Sequence, residues 1–179
     1  MKKQLIATLV GGILLFVWQF LSWALLNVHG AEFTYTANQD RIMEVLSQNL
    51  EEGQYMLPTA PPNSTPEQQQ AIMESSTGKP WATLTYHKSM SADMGMNMLR
   101  AFAIDLLSVF LLVWLLLQSA NLQFKSALLS SLAVGVIGYL TIPYLNTIWF
   151  EESSIGHLVD AVVQWGLVGV WLGWWLTKK

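Results

Sequence analysis

Two aspartates stand inside apolar runs of this sequence, Asp105 in LRAFAIDLLSVF and Asp160 in IGHLVDAVVQWG. A carboxylate in such surroundings is costly to ionise, and acids placed there serve proton or cation chemistry when they find partners. At about 100° per residue on a helix, His157, Asp160 and Gln164 share one face. Two carboxylates in one dry site would hold a single proton between them, which suits proton relay or capture of a cation or small polar ligand. Asp105, Asp160, His157 and Gln164 therefore form the candidate ligand-binding or proton-binding set, with Arg100 and Gln19 as its outer members. Arg100 lies roughly 140° from Asp105 on the same helix, so it is expected to snorkel to an interface or pair across helices. The competing reading makes these groups hydrogen-bond glue between helices, joined to Gln19, Ser22 and Asn146.

A second constellation is YHKSMSADMGMNMLR, with His87 and four methionines, Met90, Met94, Met96 and Met98. Thioethers are soft ligands that suit Cu(I), and Met90, Met94 and Met98 would be its holders. Methionine is also a flexible gap-filler, so packing where an external segment meets a helical bundle is the first reading, with Ser91 as the helix cap. The three histidines lie in three different segments. His29 and His157 both fall at the same boundary, where hydrogen bonding is expected ahead of a haem clasp. No Gly-x-Ser-x-Gly, phosphate loop or His-Glu-x-x-His occurs, and no basic surface for nucleic acid stands out. With no cysteine, thiolate metal sites and disulfides are excluded. Neither a cofactor nor enzymatic activity is expected.

The elements that must position these residues follow from composition. Of 179 residues, 53% are apolar and 12% charged, half the roughly 25% of ordinary soluble chains. The apolar excess sits in four runs, residues 5–26, 98–117, 127–145 and 155–176. Each approaches the ~20 residues a helix needs to cross a bilayer, and none alternates as a barrel strand would. The expectation is an integral membrane four-helix bundle. The first run follows Lys2 and Lys3 but is longer than a signal-peptide core, so a retained helix is expected. Lys2, Lys3, Lys125, Lys178 and Lys179 flank the spans on one side, while Glu151 and Glu152 lie in the loop on the other. Positive charge marks the cytoplasmic face, so both termini are expected inside and residues 30–97 outside. In that orientation nearly all the polar intramembrane groups gather in the outer half.

The outer segment is acidic and patterned. Thr36 with Gln39 makes a capping box ahead of one helix, and Thr65-Pro66-Glu67-Gln68 opens another that Gly78 and Pro80 stop. Residues 32–36, 54–57 and 81–87 read as short strands, giving a small mixed α/β cap between the first and second spans. In the last span, Gly166, Gly169 and Gly173 line the face opposite the acids, and Ala127, Ser131 and Gly135 form a matching stripe on the third. These small faces are expected to pack within the chain, or alternatively to join a homo-oligomer.

The end of the first span, FVWQFLSWALLNVH from Phe16 to His29, resembles the opening of a group of small bacterial inner-membrane proteins of unassigned function. Their Trp…Ser-Trp…Leu…His pattern is present, as is a Gly-x-Tyr-x-x-Pro element in GQYMLP from Gly53 to Pro58. GKPW from Gly78 to Trp81 is similar to the turn before their next strand; Asn27-Val28 stands where they carry a proline near the histidine. The resemblance implies a multi-pass protein of the bacterial inner membrane with residues 30–97 periplasmic, and carries over no functional residue. Together these features point to a non-enzymatic accessory, assembly or interaction factor in the lipid bilayer, meeting a periplasmic or membrane protein partner. An outward-facing binding or translocation protein is the alternative, and Cu(I) handling the weaker one.

Overall fold

The computed structural model describes residues 1–178. The protein is mostly helical, with four helical segments long and apolar enough to cross a membrane and one small two-stranded sheet. Two compact units are present: Met1–Thr34 with the chain from Asp93 onward, and Tyr35–Ala92.

The first unit holds the long helices. Helix α1 (Lys2–Phe20) is followed without a break by a wider π-helical turn, Leu21–Leu25, where the Leu26 N–H donates to the Leu21 carbonyl at 2.8 Å. Helix α4 (Met94–Leu116) starts four residues ahead of the expected span. Its cap is Asp93, whose carboxylate accepts from the Met96 N–H at 3.1 Å, rather than Ser91. The third apolar run is two helices, α5 (Phe124–Thr141) and α6 (Pro143–Phe150). The break falls at Ile142 because proline supplies no N–H and bars its predecessor from helical angles; Ile142 has φ −127° and ψ −74°. Helix α7 (Ile155–Thr177) completes the unit.

Side-chain contacts fix how the helices pack. Helix α1 lies against α4 on one side and α7 on the other, and α7 in turn covers α5. Between α1 and α7 the pairing is antiparallel and closed by tryptophans. Trp171 Nε1 donates to the Ala7 carbonyl at 3.0 Å, Trp175 Nε1 to the Lys3 carbonyl at 2.9 Å, and Trp18 Nε1 crosses the other way to Asp160 at 2.8 Å. An indole N–H meeting a second lone pair on a helical carbonyl satisfies the donor within the helix pair. Gly11 and Gly12 let α1 approach α4, since a β-carbon there would stand 2.7 Å from Val109 Cγ1 and from Leu106 Cδ2 respectively.

The glycine face of α7 is filled by α5 of the same chain. A β-carbon on Gly169 would meet Ser131 Cβ at 2.9 Å, one on Gly173 would meet Phe124 Cδ2 at 2.8 Å, and Gly166 faces Leu132. On α5, a β-carbon on Gly135 would stand 2.5 Å from the Ala161 carbonyl oxygen and 2.4 Å from the Trp165 ring. Such close backbone approach supplies van der Waals attraction between the helices. Ala7, Leu15, Val109, Leu112, Val168 and Leu172 form the buried centre. Helices α4 and α5 touch little; between them runs a groove of about 270 Å³ lined by Leu112, Leu116, Ser126, Ser130 and Val134.

In the second unit, α2 (Gln39–Asn49), β1 (Gly53–Leu57), α3 (Pro66–Ser76) and β2 (Ala82–Tyr86) follow in order, and β1 pairs antiparallel with β2 from Gly53↔Tyr86 to Leu57↔Ala82. The capping box at Thr65 is formed, with Gln68 N–H donating to Thr65 Oγ1 at 3.3 Å and Thr65 N–H to Gln68 Oε1 at 2.9 Å. The one expected at Thr36 is not: Asn38 caps α2, and Thr36 Oγ1 accepts the Asn38 N–H instead. Nor do residues 32–36 form a strand. Glu32 closes a turn, its N–H bonded to the His29 carbonyl at 3.0 Å, and residues 33–36 run on without a strand partner among the described residues.

Candidate functional site

The π-helical turn sets up the site. An extra residue in the turn widens the helix, a feature common where a side chain must be re-aimed. Trp18 and Ser22, one turn apart, both reach the same oxygen: Trp18 Nε1 and Ser22 Oγ donate to Asp160 Oδ1 at 2.8 and 2.6 Å. Past Leu25 the chain reverses through Asn27, held in the left-handed region at φ 51°, where asparagine is among the few residues at ease. That reversal swings His29 back over the bundle.

His29 is 5% exposed, and each ring nitrogen faces a carboxylate: Nε2 lies 2.9 Å from Asp160 Oδ2, Nδ1 2.6 Å from Glu32 Oε1. Burial disfavours a charge on the ring, yet the bonds and charges of Asp160 and Glu32 outweigh it and raise the His29 pKa above the ordinary histidine value. The Trp23 ring stacks on one face, 3.8 Å between centroids and 7° between planes. His157 meets the other side edge-on at 5.0 Å, with its Nε2 3.6 Å from Glu32 Oε2. Gly156 makes the crowding feasible, since a β-carbon there would stand 2.8 Å from His29 Nδ1 and 2.9 Å from Glu32 Oε1. The cluster is buried on the Trp18 side and opens at His157, whose side chain is 38% exposed.

The sequence-derived set is divided by the structure. Asp160 and His157 belong to this cluster. Asp105 is 4% exposed and takes one bond, from Gln19 Nε2 at 2.9 Å, while its Oδ2 is buried with no hydrogen-bond partner among the described residues. No hydrogen bond joins Asp105 to Asp160; each turns to a different side of α1, because Trp18 and Gln19 are neighbours about 100° apart. Gln164 is half-buried with its Oε1 unpartnered, and Arg100 and Asn146 are exposed on their helices. Met90 and Met94 are 98% and 70% exposed. Two residues of the cluster, His29 and Glu32, were not in that set. Their signal was a histidine and an acid three residues apart immediately after a span, in HGAE.

The Gln19–Asp105 pair carries a prediction of its own. Gln19→Ala strands a carboxyl group between helices and is expected to cost about 1–2 kcal/mol. Asp105→Asn keeps an acceptor for Gln19, removes the ionisable group, and is expected to be neutral or stabilising. Thermal unfolding in mild detergent checks the order; equal losses in both variants would contradict it.

The class these features define is a helical chain with four membrane-length segments and one built imidazole–carboxylate cluster at the end of the bundle away from Lys2, Lys3 and Lys178. No family model, no curated protein and no solved structure matches the chain.

Proposed function

We propose that this chain is a multi-pass protein of the bacterial inner membrane, both ends cytoplasmic, that binds a cation or small polar ligand at an outward-facing site made by His29, Glu32, His157 and Asp160. The observation that carries this reading is His29 held between two carboxylates from different segments, beside a His157 side chain that is 38% exposed. Both nitrogens of a buried imidazole need a partner, and here both partners are carboxylates, with a second imidazole against the ring. The orientation rests on lysine placement, since Lys2, Lys3, Lys125 and Lys178 flank the opposite end.

Because the chain has no cysteine, single cysteines report accessibility cleanly. On intact cells, a membrane-impermeant maleimide is expected to label Glu152→Cys and His157→Cys, and to reach Lys125→Cys only after lysis. A silent His157→Cys beside a labelled Glu152→Cys refutes an outward-open site, and outside labelling of Lys125→Cys refutes the orientation.

A second reading, an accessory or assembly factor with a periplasmic protein partner, is favoured by α2. Its apolar residues Ile42, Met43 and Val45 are each about half exposed, beside a groove of about 520 Å³ lined by Leu46, Leu84 and Tyr86. Recovery of the chain alone from mild-detergent extracts counts against it.

A further inference from the structure

The cluster has the make-up of a metal centre, and this inference rests on the outward-facing site proposed above. The available ring nitrogens of His29 and His157 and a Glu32 carboxylate oxygen all lie within 4.8 Å of one another. In a tetrahedral zinc site with bonds of about 2.0–2.1 Å, ligand atoms stand about 3.3 Å apart. Glu32 reaches both rings, Oε1 lying 2.6 Å from His29 Nδ1 and Oε2 3.6 Å from His157 Nε2, separations on either side of that value.

What surrounds these three groups separates a metal site from a chance polar knot. A metal-bound histidine characteristically gives its other N–H to a carboxylate, which fixes the tautomer and aims the ring. His29 Nε2 has that partner in Asp160, and Asp160 is itself held by Trp18 and Ser22 through its other oxygen. The stacked Trp23 ring prevents His29 from swinging away. Gly156 lets both His29 and Glu32 close on the start of α7, since a β-carbon there would crowd His29 Nδ1 and Glu32 Oε1 and push the two ligands apart.

We propose that His29 Nδ1, Glu32 and His157 Nε2 bind a divalent transition-metal ion, with Zn²⁺ the favoured occupant and Asp160 the residue that positions His29. Two imidazoles and one carboxylate suit zinc and its neighbours; Mg²⁺ and Ca²⁺ prefer oxygen alone, and Cu(I) prefers sulfur. On binding, the proton on His29 Nδ1 leaves to solvent and the metal takes its place, while the Nε2 proton stays on the bond to Asp160. Three protein ligands leave a fourth position on the exposed His157 side, so the ion is exchangeable from outside rather than sealed in.

The test uses the full chain, purified in mild detergent, stripped with chelator and titrated with Co²⁺ alone. One Co²⁺ per chain with the visible bands of a four- or five-coordinate site is expected, displaced by Zn²⁺. Glu32→Gln and His157→Ala should each weaken binding by at least about 100-fold, and Gly156→Ala should abolish it. Asp160→Asn turns an amide N–H toward Nε2 and drives the His29 proton to Nδ1, so it should weaken binding by about 10–100-fold with stoichiometry unchanged. His87→Ala, in the other unit, should leave binding intact. Helicity and unfolding temperature establish that each variant is folded. Absence of Co²⁺ binding by the folded wild type overturns the proposal, as does binding that survives both Glu32→Gln and His157→Ala. Either result leaves the maleimide labelling pattern untouched, so failure of the metal site is told apart from failure of the outward-open site.

Discussion

Asp160→Ala is expected to cost the detergent-solubilised chain about 3 kcal/mol, among the largest losses of any single side chain in the bundle. Asp160 joins three donors, Trp18 and Ser22 on α1 and its π turn, and His29 beyond it, to α7. Interhelical hydrogen bonds in membranes are worth roughly 0.6–1.7 kcal/mol each. Three lost together, with Ser22 and His29 buried and left to face alanine, sum to a few kcal/mol. Asp160→Asn keeps the oxygen that serves Trp18 and Ser22 and disturbs only the bond to His29, so about 1 kcal/mol is expected. Tryptophan fluorescence during thermal unfolding measures both. A loss as small in Asp160→Ala as in Asp160→Asn would mean that Asp160 does not clamp α1 to α7.

Gly135→Ala is expected to be comparably damaging, for a steric rather than electrostatic reason. Its β-carbon would stand 2.5 Å from the Ala161 carbonyl oxygen, a backbone atom that cannot rotate aside, and 2.4 Å from the Trp165 ring. Helices α5 and α7 must separate, and the contacts of Gly169 with Ser131 and of Gly173 with Phe124 loosen with them. Overpacking of this kind costs about 1–3 kcal/mol, and the rigid neighbour places this case at the upper end. Gly138, one turn on in the same helix, has nothing within 4 Å of its β-carbon position. Gly138→Ala is therefore expected to be neutral or to gain up to about 1 kcal/mol from helix propensity. The two variants share chemistry and helix, so equal unfolding temperatures would refute the tight α5–α7 contact.

Both predictions rest on features differently visible in the sequence. The stripe of Gly166, Gly169 and Gly173 was legible because helical periodicity is a local property. The matching stripe of Ala127, Ser131 and Gly135 made the third span its expected occupant beside a homo-oligomer, and the folded chain shows α5 filling it. Gly11 and Gly12, seated on Leu106 and Val109, went unread because nothing local distinguishes a packing glycine from an incidental one. Likewise the acids stood out against apolar neighbours and Gln19 and Ser22 were legible as bonding partners, while Trp18 and His29 were not. Asp105 and Asp160 look alike in their runs, yet one meets a single amide and the other a serine, an indole and an imidazole. The difference is an angle on α1, and no spacing within α4 or α7 encodes which side of α1 each will face.

The sequence by itself determined four apolar helices of membrane length, the capping of α3 at Thr65, and the presence of polar groups near the ends of particular spans, since each depends on residues within a turn or two of one another. Only the tertiary structure decided that His29 and Glu32 would close over Asp160 and His157, more than a hundred residues away in the chain. The cause is that a π turn and a left-handed asparagine redirect the backbone by amounts no periodic pattern records, and a hydrogen bond forms only where that redirection brings donor and acceptor within about 3 Å.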